Sequence, residues 1–163
     1  MRRWLASGAL AAAIALAGPR TAGASGDIAV VVNPDVKLEN LTFTELRKIL
    51  LGNRQFWPSG QPVTLIVRAP VAAERTFLLK KVYDMTEAQY RQYWIAKVFR
   101  AEATAGPKVV VSSVESVELV SVLSGAIALM DASDVPAGLK VIQVDGLLPG
   151  SRNYALKQVA TVE

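Results

Sequence analysis

A predicted strand that ends in an arginine and a proline is the feature that most constrains the fold of this chain. Residues 63–67 are rich in β-branched side chains with no polar alternation, which indicates a strand buried on both faces. Arg68 ends this strand, Pro70 breaks the backbone, and a helical pattern begins at about Val71. Arg68 is therefore expected beyond the carboxyl end of a strand, where open α/β sheets bind their ligands.

The helix that follows carries a second arginine within its apolar face. At 100° per residue, Leu78, Leu79 and Val82 share one side of the helix, and Arg75 falls among them. A buried arginine must reach solvent, pair with a carboxylate or bind a ligand, because an unpaired buried charge is costly. Two interpretations stay open for Arg75: an internal salt bridge, or a small-anion site shared with Arg68.

Further apolar runs predict the rest of a sheet. Residues 28–32 and 126–130 indicate central strands buried on both faces, and residues 108–111 a shorter strand. Residues 139–146 alternate apolar and polar side chains, which is typical of an edge strand with one solvated face. Strands that alternate with helices predict an α/β fold, a three-layer sandwich with a mostly parallel or mixed sheet flanked by helices.

Three helix starts are marked by a hydroxyl residue with Glu or Gln three positions later, namely Thr42 with Glu45, Thr86 with Gln89, and Ser112 with Glu115. The second of these helices should run to about Phe99, with an aromatic-led stripe of Tyr90, Trp94 and Val98 packed into the core. Ser112 and Ser113 begin the third helix, whose N-terminus is a further candidate contact for an anion.

The first 24 residues have the features of a secretory signal. A basic start precedes a small, aliphatic run at 5–17 and an Ala-x-Ala site at 22–24, and the run is too short to span a bilayer of about 30 Å. We expect cleavage after Ala24 and a periplasmic or secreted mature chain without stable membrane insertion; a retained anchor is the alternative. Residues 25–146 would then form one α/β domain, with a tail at 147–163 that shows no clear period.

Composition narrows the function classes. Removal of residues 1–24 takes three of the 18 basic residues and no acidic one, leaving 15 against 14, so no basic stripe indicates a nucleic-acid partner. The chain has no Cys and no His, which excludes a disulfide framework and the commonest general base. No metal-like cluster or activated nucleophile stands out, so we expect neither an enzyme nor a cofactor.

Several segments in this order resemble the periplasmic phosphate-binding proteins of ABC transporters. They are Asn33-Pro34, residues 41–52, Trp57-Pro58, residues 60–63, Arg68, Phe77, Trp94 and residues 125–128. The similarity runs from about Ile28 to Gly146. Such proteins clamp their ligand between two α/β lobes, so the resemblance implies a single lobe of a periplasmic-binding-protein-like fold.

One departure from the family bears on function. The family's arginine that matches Arg68 is followed by Ser-Gly-Thr at a helix N-terminus, where hydroxyls and backbone N–H groups receive phosphate oxygens. This chain has Ala72-Ala73-Glu74 instead. The resemblance implies an anion-binding role for Arg68 by its matching position, and for Arg75 only by its place in the helix. Glu74 would repel an oxyanion by about 1 to 4 kcal/mol at 4 Å.

Two functions follow from the resemblance and the departure. The first is a solute-binding-type module that binds phosphate or another small anion weakly, through Arg68, Arg75, Ser112 and Ser113. The alternative is a protein-interaction module that has lost the ligand clamp and docks a periplasmic or membrane partner such as a transporter, sensor or porin.

Overall fold

A computed structural model describes residues 26–158, so the predicted signal segment lies outside the described residues. The strands are β1 (Ile28–Val32), β2 (Asn40–Leu41), β3 (Thr64–Arg68), β4 (Lys108–Val110), β5 (Ala126–Asp131) and β6 (Lys140–Val144). The helices are α1 (Phe43–Leu50), α2 (Ala73–Leu78), which continues as a π-helical turn (Leu79–Tyr83), α3 (Glu87–Phe99) and α4 (Ser113–Val122). A short 3₁₀ turn, Ala132–Asp134, follows β5.

The strands form one mixed sheet in the order β2-β6-β1-β5-β3-β4. β1 runs antiparallel to both of its neighbours, with Val30 opposite Leu129 of β5 and Ile142 of β6. β3 is parallel to β5 and β4, and β2 is parallel to β6. The three predicted central strands all lie inside the sheet, which confirms the α/β prediction.

The sheet separates two hydrophobic layers, because alternate residues of β1 point to opposite faces. Ile28, Val30 and Val32 pack in one layer with apolar residues of α1, α2 and α3. Ala29 and Val31 pack in the other with α4. Helices therefore cover both faces, and the predicted three-layer sandwich is confirmed.

The predicted helix caps are present. The Thr42 Oγ1 accepts from the Glu45 N–H at 3.2 Å, and the Glu45 carboxylate accepts from the Thr42 N–H at 2.9 Å. Thr86 and Gln89 repeat this reciprocal pair at α3. Within α3, Tyr90 and Trp94 are buried, but Val98 is 40% exposed because no layer covers that end of the stripe.

The sequence prediction for β6 is wrong, and the described part of the tail is packed although its sequence shows no clear period. β6 is not an edge strand, because the two-residue strand β2 pairs along its outer side. Residues 147–158 of the tail are held against β1: the Ile28 N–H donates to the Leu156 carbonyl at 3.0 Å, and the Tyr154 hydroxyl donates to the Ile28 carbonyl at 2.8 Å. Single buried side chains hold the tail, and these leave no periodic signal.

The turn before β5 is tightly fixed. The Asp35 carboxylate accepts from the Ser124 hydroxyl at 2.7 Å, and the Trp57 indole donates to the Gly125 carbonyl at 2.9 Å. Gly125 has a φ of +66°, and a Cβ there would overlap the Pro62 carbonyl, so glycine is required. None of the helices within residues 26–158 has the length and hydropathy of a membrane span.

Candidate functional site

The predicted anion site lies where β3 and β4 end side by side. Arg68 is the last residue of β3 and stands opposite Val110 of β4, and the Ala69 N–H donates to the Val110 carbonyl at 2.8 Å. Because the two strands are parallel, the chain leaves both at the same edge of the sheet and turns into α2 and α4. Arg68 therefore occupies the strand-end position that the sequence predicts.

The guanidinium of Arg68 is largely buried, and two of its nitrogen atoms form no hydrogen bond within residues 26–158. Its side chain is 13% exposed, and its nearest carboxylate oxygen, Glu74 Oε1, is 3.8 Å from Nε. Among the described residues, neither Nε nor Nη1 has a hydrogen-bond partner, although both atoms are shielded from solvent. Buried donors without partners are costly, and cationic donors more so. Two donor groups of Arg68 are thus left without hydrogen bonds by the described part of the fold.

Arg75, in contrast, has its hydrogen-bonding groups occupied. Its Nε and Nη2 donate to the two carboxylate oxygens of Glu87, at 3.0 and 2.7 Å. Its Nη1 donates to the Arg68 carbonyl at 3.2 Å, and the guanidinium lies 4.2 Å from the centre of the Tyr90 ring. Of the two roles that the sequence left open, the geometry shows the internal salt bridge.

Tyr90 forms the floor beneath Arg75. Burial raises the pKa of the Tyr90 hydroxyl, an effect that the Arg75 cation partly opposes, so the phenol stays neutral at physiological pH. The ring meets that of Tyr83 edge to face at 4.8 Å between centroids. Aromatic packing therefore fixes the plane on which the Arg75 guanidinium rests.

The turn between Arg68 and α2 lacks the groups that usually receive an anion. The Ala72 N-cap has no side-chain hydrogen bond. Val71 has a φ of +72° and is 98% exposed, an unusual conformation for a β-branched residue. Glu74 is buried next to Arg68. The turn thus has an apolar side chain and a carboxylate in the region where the family that the sequence resembles has hydroxyl groups.

Ser112 and Ser113 lie at the start of α4, just after β4. The Ser112 Oγ accepts from the Glu115 N–H at 3.1 Å, so this serine is the helix cap that the sequence predicts. The Glu115 carboxylate in turn accepts from the Val111 N–H at 2.8 Å. The structure brings both serines to the same sheet edge as Arg68, with the Ser112 hydroxyl already used in capping and a carboxylate beside it.

Two features of this site were not predicted from the sequence. Glu87 was not recognised as the partner of Arg75, although its place in the first turn of the helix after Thr86 was available as a signal. The strained turn at Val71 had no signal, because valine is rarely found at positive φ. Both features depend on how α2 and α3 meet in three dimensions.

No protein-family model and no curated protein matches the chain. Among solved structures, an ABC-type phosphate transport receptor from Vibrio cholerae matches with a TM-score of 0.64 and 20% identity, covering 82% of this chain and 54% of that one. PstS from Borrelia burgdorferi matches with a TM-score of 0.65 and 21% identity, covering 82% and 55%.

The chain spans about half the length of the structures it matches, 54% and 55% of the two receptors. At this level of identity the similarity concerns the fold. The predicted resemblance is therefore confirmed: the chain has the fold of part of a phosphate-binding protein of an ABC transporter.

Proposed function

We propose that this protein is an exported solute-binding-type module that binds a small oxyanion, with phosphate as the first candidate, through Arg68. The observation that carries the proposal is the pair of buried, unpartnered donors on the Arg68 guanidinium at the end of β3. The fold supports it, because the similar structures are phosphate-binding transport proteins rather than enzymes. Export follows from the signal segment that the sequence predicts at residues 1–24.

In this proposal the other three residues have supporting roles. Arg75, whose charge is paired with Glu87, holds the end of β3 through its bond to the Arg68 carbonyl, which is 3.2 Å long. Ser112 fixes the start of α4, and Ser113 offers a hydroxyl at the same edge of the sheet. Arg68 is thus the direct contact, and the surrounding residues determine its position.

The expected affinity is low. Glu74 lies close to Arg68, with 3.8 Å between its Oε1 and the arginine Nε, and an incoming oxyanion must approach this carboxylate. A single lobe also encloses little of a ligand, whereas small-molecule sites bury most of theirs. We therefore expect a dissociation constant on the order of millimolar or weaker, corresponding to about 4 kcal/mol or less.

The test is a titration of the mature protein with phosphate, followed through the Arg68 Nε–H resonance and by calorimetry. Wild-type protein should give a saturable shift, and Arg68→Ala should weaken binding at least tenfold, since a charge-assisted hydrogen bond is worth about 1.5 to 3 kcal/mol. Arg91→Ala is the matched control, because Arg91 is exposed on α3. Binding that survives Arg68→Ala unchanged would contradict the proposal.

A second candidate function is a protein-interaction module, and a specific observation favours it. Apolar side chains stand exposed at the same sheet edge as Arg68, with Val71, Val111 and Val114 at 98, 78 and 67%. Exposed apolar residues around a charge suit a protein partner better than a hydrated anion. The partner would be a periplasmic or membrane protein, such as a transporter or sensor.

Site-specific photo-crosslinking in cells separates the two candidates. A crosslinker in place of Val71 should capture one discrete partner if this edge is a docking face. The control position is Val122, at the other end of α4, which is similarly exposed at 73%. Equal labelling from both positions would count against the docking face.

A further inference from the structure

A cavity of about 460 Å³ opens at the amino end of β3, at the opposite end of the strand from Arg68. The start and end of β3 are separated by roughly 13 Å at 3.3 Å per residue, so the cavity is distinct from the site described above. It lies between α1, α3 and two loops, 52–56 and 103–108. Its volume falls within the range of known small-molecule pockets, about 300 to 1,000 Å³.

The floor of the cavity is the start of β3, whose side chains are only partly covered by the core. Val63 and Leu65 line the cavity and are only half-buried, whereas Val67, further along the same strand, is buried. The sequence predicted that all of 63–67 would be buried on both faces. The cavity accounts for the difference, because it replaces the protein layer that would otherwise pack on the start of the strand.

Aromatic side chains form two of the walls. The Trp94 ring is buried against Gly52, where a Cβ would come within 2.6 Å of the ring. Phe56 stands at the mouth and is 58% exposed. Aromatic faces of this kind give a large apolar contact area for a ligand ring or alkyl chain.

The charged residues that line the cavity are both basic. They are Arg54 and Lys108, and no Asp or Glu is among the described residues that line it. Arg54 lies 3.6 Å from the Glu45 carboxylate, which is not part of the lining, while Lys108 is exposed at the start of β4. A ligand that carries a negative group would complement this pair of cations.

We propose that this cavity binds a small organic anion with an apolar body, of the class of medium-chain or aromatic carboxylates. The apolar part lies on Val63, Leu65 and Trp94, and the carboxylate faces Lys108 and Arg54 at the mouth. Glycine at position 52 is needed for the wall, because any larger residue would displace the Trp94 ring.

The test uses octanoate and 2-naphthoate as probes, with the neutral 1-octanol for comparison. Titration by calorimetry and by the indole N–H resonance of Trp94 should show saturable binding of both carboxylates and at least fivefold weaker binding of the alcohol. Ala105→Trp, which fills the cavity from an exposed loop position, should weaken carboxylate binding tenfold or more. Lys108→Glu should weaken it about fivefold to tenfold by reversing the mouth charge.

Lys80→Glu is the control for charge, because Lys80 is exposed on the π-helical turn and does not line the cavity. It should leave carboxylate affinity within twofold of the wild type. Equal binding of octanoate and 1-octanol would overturn the anionic class. No saturable binding of either carboxylate, or binding that Ala105→Trp and Lys108→Glu leave unchanged, would overturn the site and favour a partner protein as the occupant.

Discussion

The two arginine–glutamate pairs near α2 are both largely buried, but they differ in their hydrogen bonding. Arg75 and Glu87 meet through a bidentate pair of hydrogen bonds at 2.7 and 3.0 Å, above an aromatic ring. Arg68 and Glu74 are separated by 3.8 Å, and two buried donors of Arg68 have no partner among residues 26–158. The first pair is satisfied within the fold, and the second is not.

The comparison shows that an arginine's position in the sequence pattern does not reveal its role. Arg75 falls in an apolar helix stripe, which raised the question of a ligand, yet α3 supplies its partner. Arg68 ends a strand, where a solvated side chain is common, yet its side chain is only 13% exposed. Unused hydrogen-bonding capacity, rather than burial alone, therefore distinguishes the candidate site from the structural pair.

The largest expected effect comes from breaking the satisfied pair. Arg75→Ala should lower the free energy of unfolding by about 3 kcal/mol, because it leaves the Glu87 carboxylate without its partner and removes the contact with Tyr90. Urea denaturation followed by circular dichroism measures this as a lower midpoint at an unchanged slope.

Arg91→Ala serves as the control for Arg75→Ala, since exposed residues without specific contacts usually change stability by about 0.5 kcal/mol or less. Arg68→Ala should also cost less than Arg75→Ala, because it removes a 3.8 Å ion contact with Glu74 rather than two short hydrogen bonds to a carboxylate. Equal losses for Arg68→Ala and Arg75→Ala would break the distinction drawn between the two pairs.

An intermediate effect is expected from removing the carboxylate of the unsatisfied pair. Glu74→Gln keeps the shape of the side chain and removes the charge that repels an oxyanion beside Arg68. Phosphate affinity should rise about tenfold, which corresponds to about 1.4 kcal/mol, toward the lower end of the range expected for two charges at this distance. Calorimetric titration against wild type measures the gain.

Glu118→Gln is the matched control for Glu74→Gln, because Glu118 is exposed on α4 and changes net charge by the same amount. It should leave phosphate affinity unchanged within about twofold, since screening weakens distant surface charges. If both variants raise affinity equally, net charge rather than the local carboxylate limits binding.

Much of the fold could be predicted because its signals are local. Three apolar runs gave β1, β3 and β5, and the Thr42 and Thr86 caps marked the starts of α1 and α3. Each of these signals lies within about a dozen residues, where periodicity and capping chemistry act. The two-residue β2 and the packed tail were missed because each depends on a partner about 100 residues away or more.

The candidate site was harder to predict for the same reason. The pairing of Arg75 with Glu87 crosses the π-helical turn and Asp84, which has a φ of +54°, and no pattern in the sequence gives the angle between α2 and α3. The burial of the Arg68 guanidinium depends on that angle too. The sequence could therefore locate the ends of the strands. It could not show which of the two arginines forms its hydrogen bonds within the fold.

The smallest expected effect concerns the turn that joins the two arginines. Val71 has a φ of +72° and almost no packing, since it is 98% exposed. A left-handed conformation costs a non-glycine residue roughly 1 to 2 kcal/mol, and substitution by glycine removes this cost. Glycine also gives the unfolded chain more conformational entropy, which offsets about 0.5 to 1 kcal/mol of the stabilisation. Val71→Gly should therefore stabilise the fold by about 0.5 to 1 kcal/mol, measured as a higher urea midpoint.

Val71→Ala keeps the Cβ and should gain less stability, so equal gains would show that the backbone at this turn is not strained. Phosphate affinity should stay the same in both variants, because the guanidinium of Arg68, and not the turn after it, is the proposed contact.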